Sequence, residues 1–408
     1  MRLGSGAAAL ACLTCLTSVT ITLSAGAQGP LLTREAAVAS AIERGGRLRL
    51  AIADTATAFA QWRVARTFEN PILTAEYSKS APQYHLTVDI PFDYPWLRGT
   101  RIAAAEATRT ATRYRYAFER AAAALDADTT YTRALAAQEK LRLSRRNAID
   151  ADSLRRIAIA RRDAGDASDL DVELATVSAG QQANTAAADS LTWISTLLDL
   201  QTVIGRSATE PTVVLTDSLA APADSIVARN GQPLPIAAAE AALQSASLAV
   251  RLQRRSLFAA TSLTAGFETR DPSGDETGIL PVIGFSIPFP IFNRNSAQIA
   301  VAEAEQFRAQ AERDVAVLET RATIARTERQ RAIALANVAR DRTLVASANR
   351  VAALSLTAYR EGAAPLATAI EAQRNAREIL AQYIDDLAVA WIATAALRVR
   401  TLTAETSP

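Results

Sequence analysis

The sequence predicts a mainly α-helical protein with a small β part, laid out as two tandem repeats of helix, strand, strand, long helix and helix. The first observation behind this is an element written twice. Ile90-Pro91-Phe92 returns as Ile287-Pro288-Phe289, and Ile102-Ala103 and Ala105-Glu106-Ala107 return in register as Ile299-Ala300 and Ala302-Glu303-Ala304. Gly165 matches Gly362 at the same offset of 197, whereas Leu73-Thr74-Ala75 returns as Leu263-Thr264-Ala265 at an offset of 190. The difference falls in a turn region, between Glu76 and Gln83 in one copy and across 271–278 in the other. The second observation is composition: 49% of residues are hydrophobic, many of them Ala, and only 5% are aromatic, which favours helix. The third is two proline-free stretches, Arg98 to Ala164 and Ser296 to Glu361, each about 66 residues and roughly 100 Å as helix.

The elements follow in chain order. Residues 1–27, an apolar run ending in Ser24-Ala25-Gly26-Ala27, read as a secretory signal peptide. Both cysteines, Cys12 and Cys15, lie inside it, so no disulfide or thiolate site is expected beyond it. The first repeat is expected over 28–210, with a helix from Arg34 to Trp62, a β-hairpin near 70–92 and a long helical hairpin turning at Gly165. A Pro/Asp/Ser-bearing linker is expected over 211–235. The second repeat, 236–408, has its helix over about Pro235–Phe258, its β-hairpin near 262–289 and its helical turn at Gly362. Glycine at these turns suits a helix C-terminus. Leu344/Val345, Val351/Ala352 and Ala358/Tyr359 recur every seven residues, the period of packed, supercoiled helices. Beyond the signal segment no window of about 20 apolar residues is expected, and so no transmembrane helix.

The strands alternate. Leu73, Ala75, Tyr77 and Tyr84, Leu86, Val88, Ile90 are interleaved with Thr74, Glu76, His85, Thr87 and Asp89, and the second copy repeats the pattern through Leu263, Ala265, Phe267, Ile283 and Phe285. Such period-2 patterning fits a half-buried sheet or a lipid-facing barrel. Four strands are too few to close a barrel, so several copies of the chain are expected to pool them. Each second strand runs through a proline and aromatic cluster into a helix: Pro91, Pro95 and Trp96 in one copy, Pro288 and Pro290 in the other. Proline marks the change of backbone regime. Asn293, Asn295 and Ser296 are candidate N-caps. Tyr94, Trp96 and Phe292 suit a bilayer interface or, equally, ordinary turn packing.

Charge and chemistry exclude several classes. The 44 Lys+Arg and 42 Asp+Glu are spread evenly, so no basic stripe points to nucleic acid. One histidine, His85, and no Ser/His/acid set, metal cluster or phosphate loop leave no enzyme reading and no cofactor. A periplasmic adaptor would show one helical hairpin flanked by several β domains, and a coiled-coil spacer would need no alternating strands.

From Gln28 to Pro408 the chain resembles the TolC-like outer membrane efflux family, on its duplicated element order and on two tip motifs, 165–172 and 362–374. The resemblance implies a homotrimer in outer-membrane lipid: three chains pooling four strands each into a 12-stranded transmembrane β-barrel, continued by an α-helical barrel across the periplasm. It implies a passive duct, not an enzyme, docked to a periplasmic adaptor (membrane fusion protein) and an inner-membrane transporter of the RND type. It further implies a periplasmic gate of acidic residues after the tip glycines, carried over to Asp171 and Glu371, with Thr368 where some members have a further acid and Ala364 where some have a basic latch. Asp166 and Asp169 add charge there, or serve as solvated helix starts. Arg374 is placed to compensate Glu371. The Tyr94-to-Arg101 run looks most like the heavy-metal branch (cobalt, zinc, cadmium), with drug efflux or type I secretion as alternatives.

Overall fold

The computed structural model describes residues 31–80, 82–206, 209–223, 231–256, 261–270, 278–289, 291 and 294–403. The signal segment 1–27, Pro290, Phe292 and Asn293 lie outside the described residues.

A two-residue strand β1 (Leu31–Leu32) leads into α1 (Arg34–Arg44) and α2 (Gly46–Arg66), where the sequence reading expected one helix. The break is at Gly45, whose Cβ, were there one, would stand 2.3 Å from Ala41 O, so the turn closes where only glycine fits. The hairpin β2 (Ile72–Tyr77) and β3 (Tyr84–Pro91) follows, then α3 (Pro95–Asp163), 69 residues long, and α4 (Asp169–Val203). A second short strand, β4 (Val214–Leu215), pairs in parallel with β1 inside the expected linker. The second repeat supplies α5 (Leu234–Arg255), β5 (Ser262–Thr269), β6 (Ile279–Ser286), the 65-residue α6 (Ser296–Arg360) and α7 (Leu366–Arg400).

The two hairpins join into one antiparallel sheet, β2-β3-β5-β6, with β2 and β6 as open edges. Its register runs Leu73–Val88–Ala265–Ile283 across all four strands, and two residues along, Ala75–Leu86–Phe267–Pro281. Every apolar position of the alternation therefore lands on one face. That face is bare: Ile283 is 83% exposed and Phe285 74%. Strands of eight residues span about 26 Å, the height of a lipid-facing band.

Below the sheet the helices lie abreast. Near the sheet α3 is held to α2 by Arg101 donating to Ala65 O at 3.1 Å and to α5 by Thr108 against Ser245 at 2.7 Å, and α5 reaches α6 through Arg313 and Glu240 at 3.3 Å. Farther down, Leu135 packs on Leu197 and Leu200 of α4, Lys140 pairs with Asp385 of α7 at 2.7 Å, and α7 packs on α6 through Val338, Leu387 and Ala390. Each level is thus a row of four helices. In α6 the seven-residue repeat divides: Tyr359 is buried with Val345 and Ala352 half-buried, while Leu344 and Val351 stay exposed.

The waist is tied by polar contacts. Gln201 is fully buried and binds the linker, accepting from Thr212 N at 2.6 Å and donating to Glu210 O at 3.1 Å. Arg34 lies over the rings of Tyr131 and Trp391, 5.3 and 4.2 Å from their centroids, and pairs with Asp128. Burial first, then Asp217, pushes the Tyr131 hydroxyl up to about 12, so it stays protonated and donates to Leu32 O at 3.0 Å.

One expectation needs revision. An apolar window in α7 reaches a mean hydropathy of 1.3, long and apolar enough to cross a membrane by composition, although 44% of that window is buried inside the chain. Here α7 packs the buried side of that window against α3 and α6.

Candidate functional site

The junction between sheet and helices is built by Pro91, Pro95 and their neighbours. Pro91 ends β3, and Pro95 opens α3 at its first position, where a missing N–H costs nothing. Phe92 meets Tyr94 edge to face at 4.8 Å, Tyr94 stacks on Trp96 at 4.6 Å, Trp96 is 57% exposed, and Tyr94 donates to Thr261 Oγ1 at 3.1 Å. Asp93, which sequence reasoning missed, is the hub here: it pairs with Arg101 at 2.8 Å and Arg98 at 3.5 Å. Those two arginines also donate to the last carbonyls of α2, at Ala65 and Arg66. Cations at a helix C-terminus satisfy orphan carbonyls and oppose the dipole.

In the second junction Pro288 is half-buried and Phe289 is 85% exposed. Asn295 occupies the N-cap position of α6 but does not cap it. Its backbone is left-handed (φ 62°), and its amide turns away to donate to Gln253 O at 2.7 Å and Ser256 Oγ at 2.8 Å, tying α6 to the end of α5. Ser296 is the first helical residue.

The far end of the helices carries the other predicted site residues. Gly165 and Gly362 both have left-handed φ, 84° and 75°, and each closes a turn in which the following residue's N–H reaches back to the helix it leaves: Asp166 N to Arg161 O and Ala363 N to Ala358 O, both 2.8 Å. In the first tip Asp171 is the third residue of α4 and forms a capping box. Its carboxylate accepts from Ser168 N at 3.2 Å while Ser168 Oγ accepts from Asp171 N at 3.2 Å. Asp169 is 90% exposed at the first helical position and Asp166 is exposed in the turn. In the second tip Thr368 and Glu371 are exposed on α7. Arg374 does not turn back to Glu371. It pairs with Glu378 at 2.9 Å, and that hydrogen bond is the main cause of its raised pKa, with the charge of Glu371 a smaller contribution.

The structure brings the two tips together through Arg161, which the sequence reading passed over. From the end of α3 it donates to Tyr359 O at 2.5 Å, lies 4.9 Å from the Tyr359 ring centroid, and reaches Asp166 O at 3.3 Å. Leu154, Ala158, Val172, Ala175, Tyr359, Leu366 and Ala369 close one apolar cluster beneath it. Burial raises the Tyr359 hydroxyl above its ordinary value.

Residues 231–401 match the family model described as outer membrane efflux protein. The matched stretch is the second repeat, so it is this half of the chain that is similar to that family in sequence. Outer membrane efflux proteins are transport ducts rather than enzymes, seated in the outer membrane and extending into the periplasm. A comparison with curated proteins gives no match. Among solved structures, a membrane protein from Pseudomonas aeruginosa superposes with a TM-score of 0.77 at 20% identity, covering 90% of this chain and 93% of that one. CusC gives 0.75 at 17% identity, covering 91% and 92%, and the outer membrane protein VceC from Vibrio cholerae gives 0.73 at 17%, covering 90% and 95%. At these identities the likeness establishes the fold, and it extends over both repeats.

Proposed function

We propose that the chain is one subunit of a homotrimeric exit duct for a tripartite efflux pump, passive and without a cofactor. The observation that carries this is the four-stranded sheet with an exposed apolar face and two open edges. Hydrocarbon tolerates neither an open edge nor an unpaired backbone, and β6 of one subunit pairing with β2 of the next closes a ring of twelve strands. Four helices abreast continue as a ring of twelve. Exposed apolar side chains along α6, such as Phe307, Leu318 and Ile333, support a neighbouring subunit on that face. Native mass measurement of membrane-extracted protein tests it: three chains, resistant to heating in detergent, are expected, and an isolated monomer overturns it.

The tips that turn at Gly165 and Gly362 point away from the sheet, toward a periplasmic adaptor and an inner-membrane transporter of the RND type. Around the threefold axis Asp166, Asp169, Asp171, Thr368 and Glu371 form the constricted, cation-preferring end. The cargo we place as heavy-metal cations, on the Tyr94-Pro95-Trp96-Leu97-Arg98-Gly99-Thr100-Arg101 run. Sensitivity of a deletion strain decides: loss of cobalt, zinc or cadmium tolerance supports it, whereas loss of drug tolerance or of protein secretion alone reassigns the cargo.

A further inference from the structure

Midway down the helical wall, α6 and α7 run antiparallel. Val338 packs with Leu387 and Ala390, and Arg331 donates to Thr394 at 3.3 Å. That register sets Asp341 of α6 opposite Asp386 of α7. Both are buried, at 5% and 8% exposure, in a wall made largely of Ala and Leu. Asp386 Oδ2 accepts from Gln382 Nε2 at 3.2 Å. Asp341 Oδ1 lies 3.7 Å from Arg340 Nε, on a side chain 62% exposed, and its Oδ2 is buried with no donor. From α3 the facing charge is Lys140, which is taken by Asp385 at 2.7 Å, and from the linker the facing residue is the apolar Leu219.

Two ionised carboxylates offer acceptors only, and in a buried site they repel. One proton on either supplies the missing donor and removes one of the two charges. We propose that Asp341 and Asp386 form a proton-operated joint in the duct wall, holding α6 to α7 while they share one proton and letting the second helical hairpin loosen when both ionise. Asp341 is 21 residues from Gly362, roughly 30 Å along the helix from the tip, so the joint acts on the wall behind the tip rather than at its turn.

The hydrogen bond that a shared proton makes with Asp386 first, then burial, holds the Asp341 carboxyl above the ordinary carboxylate range. A carboxyl raised in this way adds stability in its protonated form. The contribution is complete below the pKa of a free aspartate and is lost as pH rises through the raised value. The joint is therefore tight in acid and slack in base, opposite to an ion-paired aspartate.

Hydrogen exchange of peptides spanning 334–345 and 380–392, in the full assembly extracted from membranes, tests this at about pH 5.5 and about pH 8.5 after correction for the intrinsic rate. Wild-type protection is expected to fall severalfold at the higher pH. Asp341→Asn and Asp386→Asn carry a donor at every pH and should each flatten the profile. A flat wild-type profile, or a pH dependence that survives both variants, overturns the proposal, as does recovery of protection at the higher pH on adding magnesium, which would put a cation in place of the proton. If neither variant assembles, the wild type alone decides by infrared spectroscopy: a carboxylic acid band titrating above the ordinary range is expected, and its absence overturns the proposal.

Discussion

Arginine placed on one face of the sheet should abolish assembly, while the same residue one position away should be tolerated. Val88, Ala265 and Ile283 form a single register row near mid-strand, and the flanking Thr87 points to the opposite face. If the bare face meets lipid, Ile283→Arg or Val88→Arg puts a guanidinium near the bilayer midplane at about 2–4 kcal/mol per chain. In a closed trimer this is paid three times, about 6–12 kcal/mol per assembly, comparable to the whole stability of a typical domain. Thr87→Arg stands across from Gly266, which has no side chain to crowd it, and Ser286→Arg sits at the strand end, so both should assemble. The assay is the amount of heat-resistant oligomer in the outer-membrane fraction at matched expression. Equal yields from the two faces would refute lipid contact, as would loss confined to Thr87→Arg.

Gly165→Val and Gly362→Val should each cost about 1–2 kcal/mol from backbone strain alone, since nothing stands within 4 Å of a Cβ at 165 and only Arg161 lies 3.6 Å from one at 362; tip-specific proteolysis measures it. Gly266→Ala should weaken the seam between the two hairpins by about 1–3 kcal/mol, because its Cβ would stand 2.3 Å from Leu86 O; denaturant midpoints of the assembled protein check this. Ser168→Ala removes one half of the capping box and should destabilise the first tip by about 1 kcal/mol, read as faster exchange across 166–172. The double variant Asp171→Asn/Glu371→Gln should lower cation selectivity in planar-bilayer conductance, and unchanged selectivity removes both residues from the gate.

The fold was legible where the pattern is long. Two proline-free helices, alternating strands and glycine turns each have a period or a breaker that one sequence displays. The two-residue strands β1 and β4 have no period to show, and the break at Gly45 sits in an Ala-rich stretch whose helical pattern continues across it. Capping at Asn295 failed as an expectation because tertiary partners, Gln253 and Ser256, outbid the local backbone. Contacts such as Arg161 with Tyr359, 198 residues apart, or Asp341 opposite Asp386, depend on which faces of two long helices meet. Small errors in helix phase accumulate over that distance, so composition alone does not choose the pair. The tip acids were carried over by position, and the local duty of Asp171 was missed: Ser168 three residues before it is a readable capping signal.

In the proposed ring of three subunits, the open edges at β2 and β6 also set how assembly proceeds. Two subunits joined by one seam still leave two strand edges bare, so a dimer gains little inside hydrocarbon, and only the third subunit removes every edge at once. Ring closure is then strongly cooperative in subunit concentration, with partial rings scarce at equilibrium. Dissociation faces the converse demand, since releasing one chain breaks two seams together and re-exposes both ends. A shortage of chains should therefore appear as fewer complete ducts, not as smaller ones.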